Sequence, residues 1–133
     1  VAFTRYGDLS GDIFTKKTTV TTDSTAGALT YTAAQLLGGL ILRDPNGGAR
    51  SDVTPTAALI VAAIDNCAIG DSFEFTIRNT ADAGETITVT AGTDVTLSGT
   101  MTIAQSNSKR FLAVVTAVGT PAVSVYSLGT IVT

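Results

Sequence analysis

Apolar and polar residues alternate through residues 73–78 (FEFTIR). The same beat returns through 86–91 (TITVTA) and 95–103 (VTLSGTMTI). Successive strand side chains point to opposite faces, so Phe73, Phe75, Ile77, Ile87, Val89, Val95, Leu97, Met101 and Ile103 are expected on one apolar face. Thr, Ser, Glu and Arg fall on the other. The pattern predicts three strands joined by two tight turns over residues 71–103, one sheet of an antiparallel β domain buried on one side. Residues 40–43 (LILR) read as a further strand. Residues 111–118 (FLAVVTAV) are apolar on both faces, as for a central strand covered on two sides, and residues 122–128 read as the last full strand. Residues 15–22 are β-branched but weakly apolar, and Lys16 and Lys17 suit an exposed edge, where charge discourages unwanted pairing.

Two short helices interrupt this pattern. Thr32 and Gln35 form the signature of a capping box, and Gly38 and Gly39 stop that helix. Residues 54–64 (TPTAALIVAAI) predict a second, with Thr54 as N-cap and Pro55 at the first helical position. It is apolar nearly all round, which predicts burial on most sides, at an open end of the sandwich or in a subunit contact through Leu59, Ile60 and Ile64. Strands spaced about 8–12 residues apart fit a sandwich or barrel. The expected fold is therefore all-β: an antiparallel β-sandwich or jelly-roll-like barrel with two short helices.

The first 25 residues differ. They have no sustained period, yet they hold three of the eight aromatic residues, Phe3, Tyr6 and Phe14, spaced by Gly, Ser and Asp. Two readings stay open: the segment folds back as an extra strand, or it docks on another protein chain. The expected organisation is an extended arm over 1–25 and one β-sandwich domain over 26–133. With Val1 first and no signal-peptide pattern, the expectation is a leaderless product whose initiator Met has been removed.

Composition changes the picture in one respect. Of 133 residues, 44% are apolar but only 14% charged, where about 25% is usual; Thr, Ser and Gly take the remainder. An uncharged polar surface suits a protein partly covered by neighbours, or a secreted β domain rich in hydroxyls. The net charge of −3 and the two small basic pairs, Lys16–Lys17 and Lys109–Arg110, argue against nucleic acid as a partner, and no apolar run is long enough to span a membrane as a helix.

Candidate chemistry is sparse. There is no His and one Cys, so Ser-His-Asp, Cys-His and most transition-metal sites cannot be built within one chain, and no cofactor motif is present. Asp44, Asp65, Asp71, Asp82 and Asp94 fall at turns, where Asp bonds the local backbone; this outweighs calcium binding. Paired carboxylates are the remaining enzymatic option, but Glu74 is placed on the polar face beside Arg78, as a solvated ion pair. Tyr126 alternates opposite Val125 and is an expected exposed ring or oligomer contact. The reading is of a protein that is not an enzyme.

The runs 40–45 (LILRDP), 54–64, 70–79 (GDSFEFTIRN) and 86–100 (TITVTAGTDVTLSGT) resemble, in order and texture, head-decoration (cement) proteins of tailed bacteriophages and related head-fibre bases. The resemblance covers residues 29–128. It implies a β module that forms homotrimers outside the head shell and bridges neighbouring major capsid proteins, a virion surface protein assembled in the host cytoplasm. In that setting the arm residues Phe3, Arg5, Tyr6, Ile13 and Phe14 are expected to grip the capsid. The alternative is a head-fibre or carbohydrate- or receptor-binding β module, for which Tyr126 and the Asn46–Gly47–Gly48 loop are the available surface.

Overall fold

Residues 17–133 are described by the computed structural model. In chain order they form β1 (Thr19–Asp23), α1 (Ala33–Gly38), β2 (Gly39–Arg43), β3 (Arg50–Val53), α2 (Ala57–Ala62), β4 (Ser72–Asn79), β5 (Ile87–Thr90), β6 (Val95–Ser98), β7 (Thr102–Ile103), β8 (Ser108–Ala117) and β9 (Ala122–Ile131). A six-stranded sheet has the order β1-β2-β4-β8-β9-β6, and a three-stranded sheet the order β3-β5-β7. Residues 29–31 lie along β3, with Tyr31 N–H donating to the Val53 carbonyl and Val53 N–H to that of Leu29.

The chain is mostly β, as the alternation requires, but the large sheet is mixed rather than antiparallel. β1 pairs parallel with β2, β2 with β4, and β6 with β9; only β8 runs against its neighbours β4 and β9. The expected three-strand meander over residues 71–103 does not form. β4 and β6 belong to the large sheet, on either side of β8 and β9, while β5 belongs to the small one. Alternation records which face of a strand is buried, and says nothing about which strand lies beside it. Ile77, Ile87, Val89, Val95 and Ile103 do share one core, but they enter it from strands of two different sheets.

The switch between sheets has a local cause. Asn79, at the end of β4, is fully buried. Its Nδ2 donates to the carbonyls of Glu85 (2.8 Å) and Ile103 (3.0 Å), and its Oδ1 accepts from Ala81 N–H (3.0 Å). A buried amide must satisfy its donors and acceptor, and here it does so by binding the loop after β4 and strand β7. The chain is thereby led across to the small sheet instead of into a hairpin. Gly92 follows from the same packing: a Cβ there would lie 2.5 Å from the Thr54 carbonyl oxygen.

The helices complete the second layer. α1 packs against β1, β2 and β4, with Leu36 in the core, and α2 lies against β9. α1 begins and ends where expected. Thr32 Oγ1 accepts from Gln35 N–H, Gln35 Oε1 accepts from Thr32 N–H, and Gly39 takes the left-handed conformation (φ 98°) that a Cβ disfavours.

α2 departs from expectation twice. Its N-cap is Thr56, whose Oγ1 accepts from Leu59 N–H; Thr54 is buried and holds Gly92 N–H instead. The helix is also not buried on most sides. Ala57 and Ile60 enter the core, Val61 and Ile64 pack half-buried against it, and Ala58, Leu59 and Ala62 face outward. One layer of sheet can cover only one stripe of a helix.

β8 likewise has one buried face, Phe111, Ala113 and Val115, while Leu112 and Val114 on the other are half-buried. Phe111 stacks on Phe75 with ring centroids 5.0 Å apart. β1 is a strand, as its β-branched sequence suggested, and it stands at the end of the sheet among the described residues. It belongs to the sheet although it falls within the 1–25 span assigned to the arm.

Candidate functional site

The most concentrated polar chemistry lies where the two sheets meet, and it is buried. Arg43 closes β2 on the same beat as Ile41, so its side chain turns inward; Asp52 does the same from β3. Both side chains are fully buried. Arg43 Nε donates to Asp52 Oδ2 at 2.8 Å, and Nη2 donates to Asp52 Oδ1 at 3.3 Å and to the Gly27 carbonyl at 2.6 Å. Nη1 donates to the carbonyls of Thr25 and Asp44. A guanidinium has five N–H donors, and each has an acceptor here. Asp52 also accepts from Leu29 N–H through Oδ1 and from the Tyr31 hydroxyl through Oδ2, at 3.1 and 2.9 Å.

The electrostatics follow from this closure. Burial opposes the charge on Arg43, but the hydrogen bonds and the charge of Asp52 outweigh it and hold the guanidinium above its ordinary range. Burial, then the neighbouring Asp52 charge and the hydrogen bond to it, push the Tyr31 phenol far above the usual tyrosine range. The cluster keeps a charged pair and a neutral phenol, with the donors on Arg43 already used within the chain. It fastens β2 of one sheet to β3 of the other, and also fixes the 23–31 connection.

The residues singled out from the sequence are not gathered into one place. Phe3, Arg5, Tyr6, Ile13 and Phe14 lie outside the described residues. Ile60 is fully buried and belongs to the core, so it cannot serve as a subunit contact; Ile64 is half-buried against that core. Leu59 is 57% exposed and Tyr126 42% exposed. Glu74 pairs with Arg110 on the neighbouring strand at 2.8 Å, rather than with Arg78. The turn aspartates act as expected: Asp44 Oδ1 accepts from Asn46 N–H and Asp71 Oδ2 from Ala68 N–H. Asp23 Oδ1 accepts from Thr25 N–H; the Thr25 side chain first, then that backbone bond and the Arg43 charge, outweigh burial and hold the carboxyl below its ordinary range. Cys67 is half-buried, and burial followed by the Asp71 charge pushes its thiol up.

Among the described residues no group of three or more His, Cys, Asp or Glu is placed to hold a metal ion, and no helix is long and apolar enough to cross a membrane. What the surface does offer is apolar. Leu128, Ile131 and Val132 at the end of β9 are exposed, as are Val20 on β1, Leu59 on α2 and Ile69. From 127 to 133 the sequence SLGTIVT carries no charged side chain.

The Arg43–Asp52–Tyr31 cluster was missed by sequence reasoning, although one signal for it existed: Arg43 stands on the core beat of β2. No family model matches the chain, and neither a curated protein nor a solved structure does.

Proposed function

We propose that this protein is a structural component of a virion: a decoration, or cement, module that binds the outside of a tailed-phage head and stabilises the shell. The observation that supports this most is the surface, where Leu59, Ile69, Tyr126, Leu128, Ile131 and Val132 are exposed among hydroxyls with few charges. Side chains of this kind are suited to being covered by other protein, because little charge must be desolvated when they are.

In this reading the β body is the rigid part, its two sheets tied through Arg43 and Asp52. The N-terminal segment, with Phe3, Arg5, Tyr6, Ile13 and Phe14, grips the major capsid protein. The body associates as a homotrimer, so three individually weak grips act together through their effective concentration. Assembly takes place in the host cytoplasm and the finished location is the capsid surface.

The test is deletion of residues 1–14. The shortened chain should keep the oligomer mass and melting temperature of the full chain but no longer sediment with empty phage heads. Undiminished coating of heads by the shortened chain overturns the role given to the arm, and failure of the full chain to bind heads overturns the capsid reading.

A further inference from the structure

Among the described residues the large sheet ends in two open edges, and they correspond. At one end, β1 pairs with β2 over all five of its residues, Thr19–Asp23, and has no partner strand on its other side among the described residues. At the other end, β9 is covered incompletely. β8 accompanies it as far as Ile131, whereas β6 pairs only with Val123, Ser124, Val125 and Tyr126. Gly99 lies against Ser127, so residues 128–131 have no partner strand on the β6 side among the described residues. β1 and β9 also run in the same direction, because β8 is the single reversed strand between them.

Open edges normally carry devices that prevent pairing: charge, proline, a bulge that twists the edge away, or cover by a loop. The β9 edge has neither charge nor proline. Residues 127–133 are uncharged and include no proline, and Leu128, Ile131 and Val132 are exposed along it. Its one irregularity is a bulge: Ser127 opposes Phe111 and Gly129 opposes Arg110, which leaves Leu128 between them. That bulge twists the strand, a partial guard against pairing, but places no charge on it. On β1 the first four residues are Thr, Val, Thr and Thr, and Val20 is 52% exposed. Lys17 stands two positions before the strand, and Asp23 at its end has its carboxyl bound to Thr25 N–H.

We infer that the occupant of the β9 edge is β1 of a second copy of this chain, added in parallel so that one copy's six-stranded sheet continues into the next. The two spans are close in length and agree in direction, and neither sets like charges against the other. Because the joined edges are different surfaces, the contact is heterologous, which gives a ring where the rotation closes and an open filament where it does not. This deepens the self-association in the reading above, but it does not depend on attachment to a capsid.

The experiment uses the full chain with Cys67→Ser. Val20→Cys and Leu128→Cys variants carrying different tags are mixed and treated with a short bismaleimide. The expected product joins the two tags, with little product from either variant alone. Efficient cross-linking of Leu128→Cys to itself indicates twofold pairing of β9 with β9 and overturns the proposal, as does a monomeric mass for the unmodified protein in light scattering. The double variant Leu128→Lys, Ile131→Lys places charge on exposed positions; it should lose the oligomer and keep its melting temperature. An unchanged mass overturns the proposal. Protein that cross-links as expected but does not bind phage heads supports this pairing and removes the capsid reading, so the two fail separately.

Discussion

Two arginine–carboxylate pairs in this molecule have the same separation and opposite settings. Arg43 meets Asp52 at 2.8 Å with both side chains fully buried; Arg110 meets Glu74 at 2.8 Å with both about half exposed. The distance is equal, but the cost of losing one partner is not. At the surface, water takes the place of the missing group, and the attraction is screened. In the interior nothing replaces it, and an uncompensated charge is left in a low-dielectric core. The polar network around Arg43 therefore specifies how the two sheets meet, while the pair on the outer face has little structural authority.

The largest expected effect comes from breaking the buried pair. Asp52→Ala leaves the Arg43 guanidinium without its carboxylate, and urea denaturation should show a loss of about 3–5 kcal/mol. If the loss is below about 1 kcal/mol, the two pairs are equivalent and the comparison fails.

Tyr31→Phe is the intermediate case. It removes one donor from a charged acceptor while keeping the ring, and should cost about 1.5–3 kcal/mol. It should also change the alkaline limb of the stability curve. A phenol whose folded-state pKa lies above its unfolded one binds its proton more tightly when folded. Its contribution is thus complete below about pH 10, where a free tyrosine starts to ionise, and declines above it. Tyr31→Phe should flatten the fall in stability above that pH relative to the native chain. Glu74→Gln is the smallest change: it should alter stability by less than about 1 kcal/mol, and moderate salt should shrink the difference further.

What could be read in the sequence divides along local and non-local lines. The capping box at Thr32 and Gln35 and the stop at Gly39 were legible because those contacts lie within a few residues of one another. The buried face of β4 was legible because Phe75 and Ile77 keep a two-residue beat. Sheet membership was not. Ile87 and Val95 show the same alternation, yet their strands belong to different sheets. What separates them is the buried Asn79 amide, whose partners Glu85 and Ile103 cannot be identified before the fold is known. Thr54 was mistaken for a helix cap because Thr-Pro before an apolar run fits that role locally; its actual partner, Gly92, lies 38 positions away. At the buried cluster, Arg43 broke the apolar beat visibly, but Asp52 sits in a four-residue strand (RSDV) with too little hydrophobic pattern to announce itself.

The placement of β6 has a consequence for synthesis. Among the described residues its only neighbour in the sheet is β9, which is 24 residues further along the chain at its first residue, Ala122 counted from Ser98. On a ribosome that makes protein from the N-terminus, residues 95–98 therefore emerge with nothing to bind and must wait until the last long strand has been translated and has cleared the exit tunnel. Maturation of the whole sheet is thus tied to the emergence of β9, and nascent chains stalled before β9 carry an unsealed core for chaperones to hold.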